Sequence, residues 1–563
     1  MVIKKTFIFI FIFFYFKSIA QNSFFDEIRL MDYQRNIKLL NDSNDRIKNS
    51  FFIRSTSSFQ YLQSNFTNRT KNIVQSIFVN YDQQNNSLLP TSFNDGNMYP
   101  SRGWQERYSL GLNLNFWILD INFQPEKLLV QNKIQEPYYG NPNDGNFMFK
   151  YFGMVANNID NFRQFGYDPI EETTLGQSRL GLKTKYLAAG ISNENIWWGP
   201  GKRNSLIFTN NAAGFNHIYL KTLEPIPTAI GDFELNGIIG KLDTTRYNDI
   251  DQELLNICRP CMVFKNLNER QIDAITINWQ PKWIPGLYIG YTYSRQYYRD
   301  TTNALGEKYT FFSHDRPKQE LGSLMFRFAL PKGHAEFYTE IGMPDETPWP
   351  WKFFKNDVRL GYIAGVTKLI PLNFLNSYIN LNVEFTQLQI MDPRKYMYIG
   401  NPTAGSFPFS WYLSSIVKQG YSNNGQLMAS SIGPGSNNQS ISLSWNKGYN
   451  KIGVFVERTV FNNDFYNTAY ITPYFGTWIV ETGEIRYGYY NRYWVDLTQR
   501  LELQLMPIKN LLLSASFTKT HALNYRWIRI DDGSAYDVPS IYTDKYNQQF
   551  QMSIKFLLHA IIK

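Results

Sequence analysis

The chain has 563 residues, of which 17% are aromatic and only 18% are charged, and its formal net charge is +9. A positive charge spread this thinly does not indicate nucleic-acid binding. The 38 tyrosines and 43 phenylalanines are typical of transmembrane β-barrels, which need aromatic girdles at both membrane interfaces. A secreted sugar-binding β-protein could share this composition, so the class depends on the order of the residues.

The first twenty residues have the pattern of a secretory signal peptide. Two lysines precede an apolar run at residues 7–16, and Ser18 and Ala20 supply the small side chains of a cleavage site. The apolar run is too short to anchor the chain in a bilayer. We therefore predict cleavage near Ala20–Gln21, which lowers the net charge from +9 to +6 because three lysines leave. The destination that we expect is the outer membrane of a Gram-negative cell.

A short helix is predicted to follow, from about residue 23 to residue 41. Ser23 and Asp26 form a start that resembles a capping box. One face of the helix then carries the apolar side chains of Leu30, Tyr33, Ile37 and Leu40. We assign this helix to a periplasmic segment, residues 21–50.

After residue 50 the apolar residues recur with a period of two, which is typical of strands with one apolar and one polar face. Residues 378–386, with the sequence YINLNVEFT, show the pattern clearly. Similar runs occupy residues 110–116, 286–294, 324–330, 334–341, 358–366, 484–490, 500–505 and 550–556. No stretch of eighteen apolar residues follows residue 20, which excludes a helical membrane protein.

These patterns predict an all-β fold, a large antiparallel transmembrane β-barrel with a short N-terminal helix. At roughly 25–30 residues per strand and connection, the barrel domain, residues 51–563, holds about 16–18 strands. The polar faces carry charges of both signs, which indicate either an ion-pair network that braces the lumen or the lining of a pore. The charged residues concerned are Arg327, Arg359, Arg486, Lys555, Glu336, Glu340, Glu384, Glu484 and Glu502.

Three segments carry a family resemblance. Residues 186–222 contain W-W-G-P-G at 197–201, followed by Arg203, Ser205, Leu206 and the pair Asn210–Asn211. Residues 94–103 read NDGNMYPSRG, and residues 420–436 contain GYSNNGQ and IGPGS. Together these segments resemble the Wzi-like capsule-assembly family of outer-membrane proteins.

The resemblance implies a large outer-membrane barrel that holds capsular polysaccharide at the cell surface as a lectin. Some relatives are instead associated with gliding motility, so a motility or secretion machinery is a further expected partner. This chain departs from the capsule-binding type because it has one short N-terminal helix rather than a bundle. Outer-membrane lipid and surface polysaccharide are the partners that we predict, without nucleic acid.

The same segments supply the candidate glycan-binding residues. Tryptophan faces can stack on sugar rings, and asparagine and arginine side chains hydrogen-bond to hydroxyls. The alternative is a structural role, because tryptophan is enriched in membrane interfaces and Gly-Pro-Gly is a common turn. Adjacent tryptophans on one strand also point to opposite faces. The candidates are Trp197, Trp198, Arg203, Asn210 and Asn211, with Asn94, Asp95 and Arg102 as a second loop.

Enzymatic chemistry is not indicated. The sequence lacks zincin, nucleophile-elbow and phosphate-loop motifs, and the adjacent His314 and Asp315 do not make a triad, although a lipase stays a minor alternative. Cys258 and Cys261 lack the second pair that a zinc site needs, which favours a small disulfide or two free thiols. We predict a non-enzymatic protein without metal or cofactor. The alternatives are a porin or sugar-diffusion channel, and a soluble secreted carbohydrate-binding protein.

Overall fold

The structure is a computed structural model that describes residues 27–40, 51–54, 74–89, 91–135, 159–162, 164–245, 247, 252–262, 265–302, 306, 308, 316–344, 350, 353, 359–390, 410–466, 493–508, 510–527 and 544–558. The predicted signal peptide, the run at 484–490 with Glu484 and Arg486, and the pair His314–Asp315 lie outside the described residues. In the described part, none of the helices is long and apolar enough to cross a membrane.

The helices are α1 (Glu27–Leu40), α2 (Gln252–Ile257) and α3 (Asn463–Tyr466). The strands are β1 (Ile53–Arg54), β2 (Val74–Asn86), β3 (Gly103–Phe116), β4 (Leu119–Phe123), β5 (Glu126–Val130), β6 (Ile170–Thr174), β7 (Arg179–Lys183), β8 (Leu187–Ser192), β9 (Trp197–Trp198), β10 (His217–Thr222), β11 (Ile226–Thr228), β12 (Gly231–Leu242), β13 (Arg270–Pro281), β14 (Leu287–Tyr298), β15 (Gln319–Leu330), β16 (Ala335–Pro344), β17 (Gly361–Leu372), β18 (Ser377–Gln387), β19 (Ser422–Asn423), β20 (Gln426–Leu427), β21 (Asn437–Lys447), β22 (Asn450–Val460), β23 (Val495–Ile508), β24 (Leu511–Leu523) and β25 (Lys545–Leu558).

Most of these strands form one closed antiparallel barrel. Three pairs of successive segments, β4 with β5, β6 with β7 and β10 with β11, each make one bent strand, which gives eighteen strands in the described part. The barrel closes where β25 pairs with β2, with Leu558 opposite Ile77 and Phe550 opposite Asn85. The predicted fold class, a barrel of about 16–18 strands, is therefore confirmed.

The side-chain pattern of the wall follows the predicted period of two. On β16, Phe337 is about half exposed on the outer face, whereas Glu336 and Glu340 are fully buried on the inner face. On β18, Phe385 is exposed and Glu384 is buried. Arg359 differs from the prediction, because it precedes β17 in a turn and does not lie within a strand.

The two ends of the barrel differ. At one end the strands are joined by short turns, such as residues 331–334 and 448–449; at the other end long connections include residues 193–216 and 388–436. We call these the short-turn end and the long-loop end. Trp117 and Trp283 lie in short turns with exposed fractions of 86% and 67%, as expected for an aromatic girdle. In outer-membrane barrels the long loops face the outside of the cell.

The lumen contains an inner structure that we call the plug. Residues 91–101, 159–162, 193–216 and 410–436 enter it from the long-loop end, and their buried apolar side chains pack against inner-wall residues. From the short-turn end, α1 and residues 51–54 enter. The two parts meet where β1 pairs antiparallel with β9, with Ile53 opposite Trp198. Since this inner structure crosses the barrel, an open diffusion channel is not the favoured interpretation.

Candidate functional site

The plug divides the lumen unequally. Its apolar core faces β8, β10, β12, β13 and β15–β17, where inner-wall residues such as Tyr219, Ile272 and Tyr338 join the core. Against the opposite wall, β18, β21–β25, β2 and β3, it leaves a cavity of about 490 Å³ that α1 also lines. This volume is within the range of ligand pockets. We consider this space, the main cavity, as the candidate site.

On the side of the apolar core, the plug packs closely against the backbone of the barrel wall. The Trp411 ring lies against the wall where a Cβ atom on Gly342 would be 2.5 Å from it and one on Gly361 would be 2.6 Å from it. The Trp411 indole also donates a hydrogen bond to the Arg359 carbonyl, at 3.0 Å. Only glycine leaves room for the ring at these two positions, because real Cβ contacts are longer.

The segment after W-W-G-P-G is held by inward-facing glutamates. The Glu384 carboxylate accepts hydrogen bonds from the backbone N–H groups of Lys202, at 2.6 Å, and Asn204, at 2.8 Å, and from that of Arg203. Glu340 accepts one from the N–H of Leu206, at 3.2 Å. Bonds from N–H groups to a carboxylate such as that of Glu384 are charge-assisted and are stronger than neutral ones. The lumen charges of this region therefore form a bracing network, one of the two predicted alternatives.

A third glutamate connects this segment to α1. Fully buried Glu336 pairs with Arg35 of α1 at 2.9 Å, with Arg327 of the wall at 3.2 Å and with Lys202 at 3.6 Å. Arg35 also donates to the Pro200 carbonyl, at 2.8 Å. Burial disfavours the charge of Arg35, but Glu336 and Asp32 outweigh it, so its pKa lies above the usual value. The helix and the loop thus share one buried anion.

Trp197 and Trp198 lie in the plug rather than in the barrel wall. Trp197 lines the main cavity, although only 2% of its surface is exposed. Trp198 belongs to the apolar core and meets Phe208 edge to face, with ring centroids 5.1 Å apart. Because successive residues of a strand face opposite sides, the structure gives the two rings different surroundings, as the sequence pattern predicts for adjacent strand residues.

Arg203 forms part of a partition. Its guanidinium donates to both carboxylate oxygens of Glu457, at 2.6 and 3.3 Å, and lies over the Phe93 ring, with Arg500 also over that ring. Burial disfavours the charge of Arg203, but Glu457 outweighs this effect and raises its pKa. Phe93 and Arg203 line both the main cavity and a second cavity of about 80 Å³ toward the long-loop end. We call this smaller space the outer cavity.

The other candidates are only partly brought together. Asn94, Asp95 and Asn210 line the main cavity, and Asn211 lines the outer cavity. Asn94 donates to the Arg203 carbonyl, at 3.0 Å, and Asn210 donates to the Asn94 carbonyl, at 2.9 Å. Arg102 lies apart from both cavities and donates to the Ser87 and Ile134 carbonyls. The 94–103 and 197–211 segments therefore interlock, with Arg102 outside the site.

The wall of the main cavity contains residues that the sequence did not single out. They are hydroxyl and amide side chains of β2, β18, β21, β24 and β25, present in the sequence as the polar positions of the alternating pattern: Asn80, Gln84, Asn380, Asn382, Ser440, Ser442, Ser444, Asn446, Ser514, Ser516, Gln551 and Ser553. In the described part, no group of three or more His, Cys, Asp or Glu is placed to hold a metal ion. Cys258 and Cys261 form a disulfide beside α2, with Cα atoms 5.4 Å apart.

Comparison with known proteins shows which folds this architecture is similar to. The family model for capsule assembly protein Wzi matches residues 142–268. The solved structure of Wzi from Escherichia coli, described as a carbohydrate-binding β-barrel involved in group 1 capsule assembly, is 12% identical, with a TM-score of 0.58 over 95% of this chain and 99% of that chain.

Two channel structures match more weakly. OprD of Pseudomonas aeruginosa is 9% identical, with a TM-score of 0.39 over 88% of this chain and 98% of its own. OccAB2 of Acinetobacter baumannii is 11% identical, with a TM-score of 0.38 over 87% and 99%. No curated protein sequence matches the chain. The family model thus matches part of the chain, and the fold of the barrel as a whole is similar to that of Wzi.

Proposed function

We propose that this protein is exported, loses its signal peptide near Ala20–Gln21, and binds a surface polysaccharide at the outer membrane as part of capsule assembly. The observation that carries the proposal is the main cavity, in which an indole of the plug stands among the hydroxyl and amide side chains of the wall. The family match over residues 142–268 and the fold of Wzi support it.

The chemistry of the cavity suits a sugar. A pyranose ring has an apolar C–H face that packs on an aromatic ring, and hydroxyls that need donors and acceptors at its edge. Trp197 contributes the small exposed part of its indole to the lining, and Ser442, Ser514 and Gln551 are among the polar groups of the wall. In this proposal Trp198 positions Trp197 from behind, whereas Arg203 acts through its bond to Glu457 and does not contact the glycan.

The test uses a strain from which the gene has been deleted. This strain is complemented with the wild-type protein or with the Trp197→Ala or Trp197→Phe variant. We expect the alanine variant to release polysaccharide into the medium, because the aromatic contact at the cavity is gone, and the phenylalanine variant to retain most of it. Trp283→Ala, in an exposed turn far from the cavity, serves as the matched control. Equal retention by all variants at equal amounts of folded protein would overturn the proposal.

The same strains test the remaining predictions. The full-length chain should appear in the detergent-extracted outer membrane with heat-modifiable mobility and an N-terminus near Gln21; recovery from the medium alone would contradict membrane insertion. Colony spreading separates the two roles that the family suggests. Loss of spreading with normal polysaccharide retention would favour motility over capsule assembly.

A further inference from the structure

We infer that the main cavity takes an uncharged, hydroxyl-rich stretch of glycan rather than an acidic one. This inference rests on the proposed function and specifies its ligand. Three observations carry it: Arg107, Lys202, Arg203, Lys451 and Arg500 of the cavity already face carboxylates, much of the wall carries neutral polar groups, and several lining amides have oxygens that lack a hydrogen-bond donor among the described residues.

An acidic sugar would need a cation of the cavity as the partner of its carboxylate. Arg107 pairs with Asp82 at 2.7 Å, and Lys451 pairs with Glu502 at 2.6 Å. The partition cations Arg203 and Arg500 pair with Glu457 at 2.6 Å and with Glu502 at 3.1 Å. A glycan carboxylate would have to displace a protein carboxylate already in place, and like charges brought together in a partly buried site repel.

The wall supplies what a neutral sugar needs. Along β21, every second residue from Ser440 to Asn446 lines the cavity, with a neutral hydroxyl or amide at each position. Such side chains both donate and accept hydrogen bonds. A second group of neutral side chains, Ser514 and Ser516, lies on β24, beyond β22 and β23, which bring Lys451 and Glu502 to the cavity. Neutral polar groups therefore line two parts of the wall and not a single point.

The amide oxygens of the lining call for a ligand that donates hydrogen bonds to them. Asn36 of α1, Asn94 of the plug and Asn380 of β18 all line the cavity, and the side-chain oxygen of each has no hydrogen-bond donor in the described part of the chain. Buried acceptors without a donor are destabilising. A sugar hydroxyl can donate to them, whereas an ionised carboxylate has no hydrogen to give.

The experiment measures binding of surface polysaccharide from the source strain to the purified full-length protein in detergent, before and after chemical reduction of the polysaccharide carboxyl groups to hydroxymethyl groups. We expect binding that survives the reduction and changes little between low and high salt, because neutral contacts are not screened. Binding that is lost on reduction, or that falls steeply with salt, would overturn the inference and leave the proposed function standing. Absence of binding by both forms would instead count against the proposed function.

A variant locates the contact. Asn380→Leu, which removes the acceptor at similar size, should weaken binding by about two- to tenfold, the usual worth of one neutral hydrogen bond. Asn373→Leu, in an exposed turn at the short-turn end, should bind as the wild type does. Heat-modifiable mobility confirms that both variants fold. Equal affinity of a folded Asn380→Leu protein and the wild type would show that this acceptor is not used.

Discussion

Trp197 and Trp198 are neighbours in β9, yet one lines the polar cavity and the other stands edge to face against Phe208 within the apolar core. The short pairing of β9 with β1 fixes this division, because Trp198 is registered opposite Ile53 and Trp197 opposite Arg54. The N-terminal segment therefore determines which ring the cavity receives.

Trp198→Ala should destabilise the plug by about 3–5 kcal/mol, the usual cost of removing a fully buried aromatic side chain. Trp198 has an exposed fraction of 0%. Its removal therefore leaves a space inside the core, and contact with water does not make up for the lost packing. We expect faster proteolysis within residues 193–216, measured on the folded protein in detergent. Trp283→Ala, at 67% exposure, is the control, and equal cleavage of both variants would contradict the assignment of Trp198 to the core.

Glu384→Gln should loosen the segment that follows W-W-G-P-G. The charged carboxylate accepts from the backbone N–H groups of residues 202–204, and such bonds contribute about 1.5–3 kcal/mol each when the acceptor is ionised. Amide hydrogen exchange at these residues should therefore become faster. Glu502→Gln, across the cavity, should leave their exchange unchanged; if it accelerates exchange equally, the effect is not local to the carboxylate.

The sequence was sufficient for the barrel because lipid and lumen impose opposite polarity on alternate residues, as Phe337 and Glu336 illustrate. It was insufficient for the plug. Residues 193–216 lie inside the lumen, and their interior position depends on contacts such as that of Lys202 with Glu384, which are distant in the chain. The spacing of neighbouring residues does not reveal contacts between residues that are distant in the chain. The tryptophan pair therefore predicted a site without showing which ring faces it.

Gly342→Ala should lower the temperature at which the barrel loses its heat-resistant mobility. The added Cβ would lie 2.5 Å from the Trp411 ring, and overpacking of this kind costs about 1–3 kcal/mol. Gly237→Ala, also in a strand, is the matched control, since its Cβ would have no neighbour nearer than 4.0 Å. A similar shift in both variants would mean that strand propensity, and not the Trp411 contact, is responsible.

Phe93→Ala should open the partition between the outer and main cavities. The guanidinium groups of Arg203 and Arg500 both lie over the Phe93 ring, at 5.0 and 4.7 Å from its centroid, and the ring lines both cavities. Removing the ring takes away the surface on which both cations rest. A ligand that enters through the outer cavity would pass this point, so the partition should control this route to the main cavity.

A cysteine placed beyond the partition reports that access. Cys258 and Cys261 are joined in a disulfide, so Ser514→Cys in the wall of the main cavity adds a single reactive thiol. A membrane-impermeant maleimide supplied to intact cells should label this thiol severalfold faster when Phe93→Ala is also present. Phe374→Ala, an exposed phenylalanine in a short turn, should not change the rate. If labelling is equally fast with Phe93 intact, reagent reaches the main cavity by another path and the ring is not the barrier.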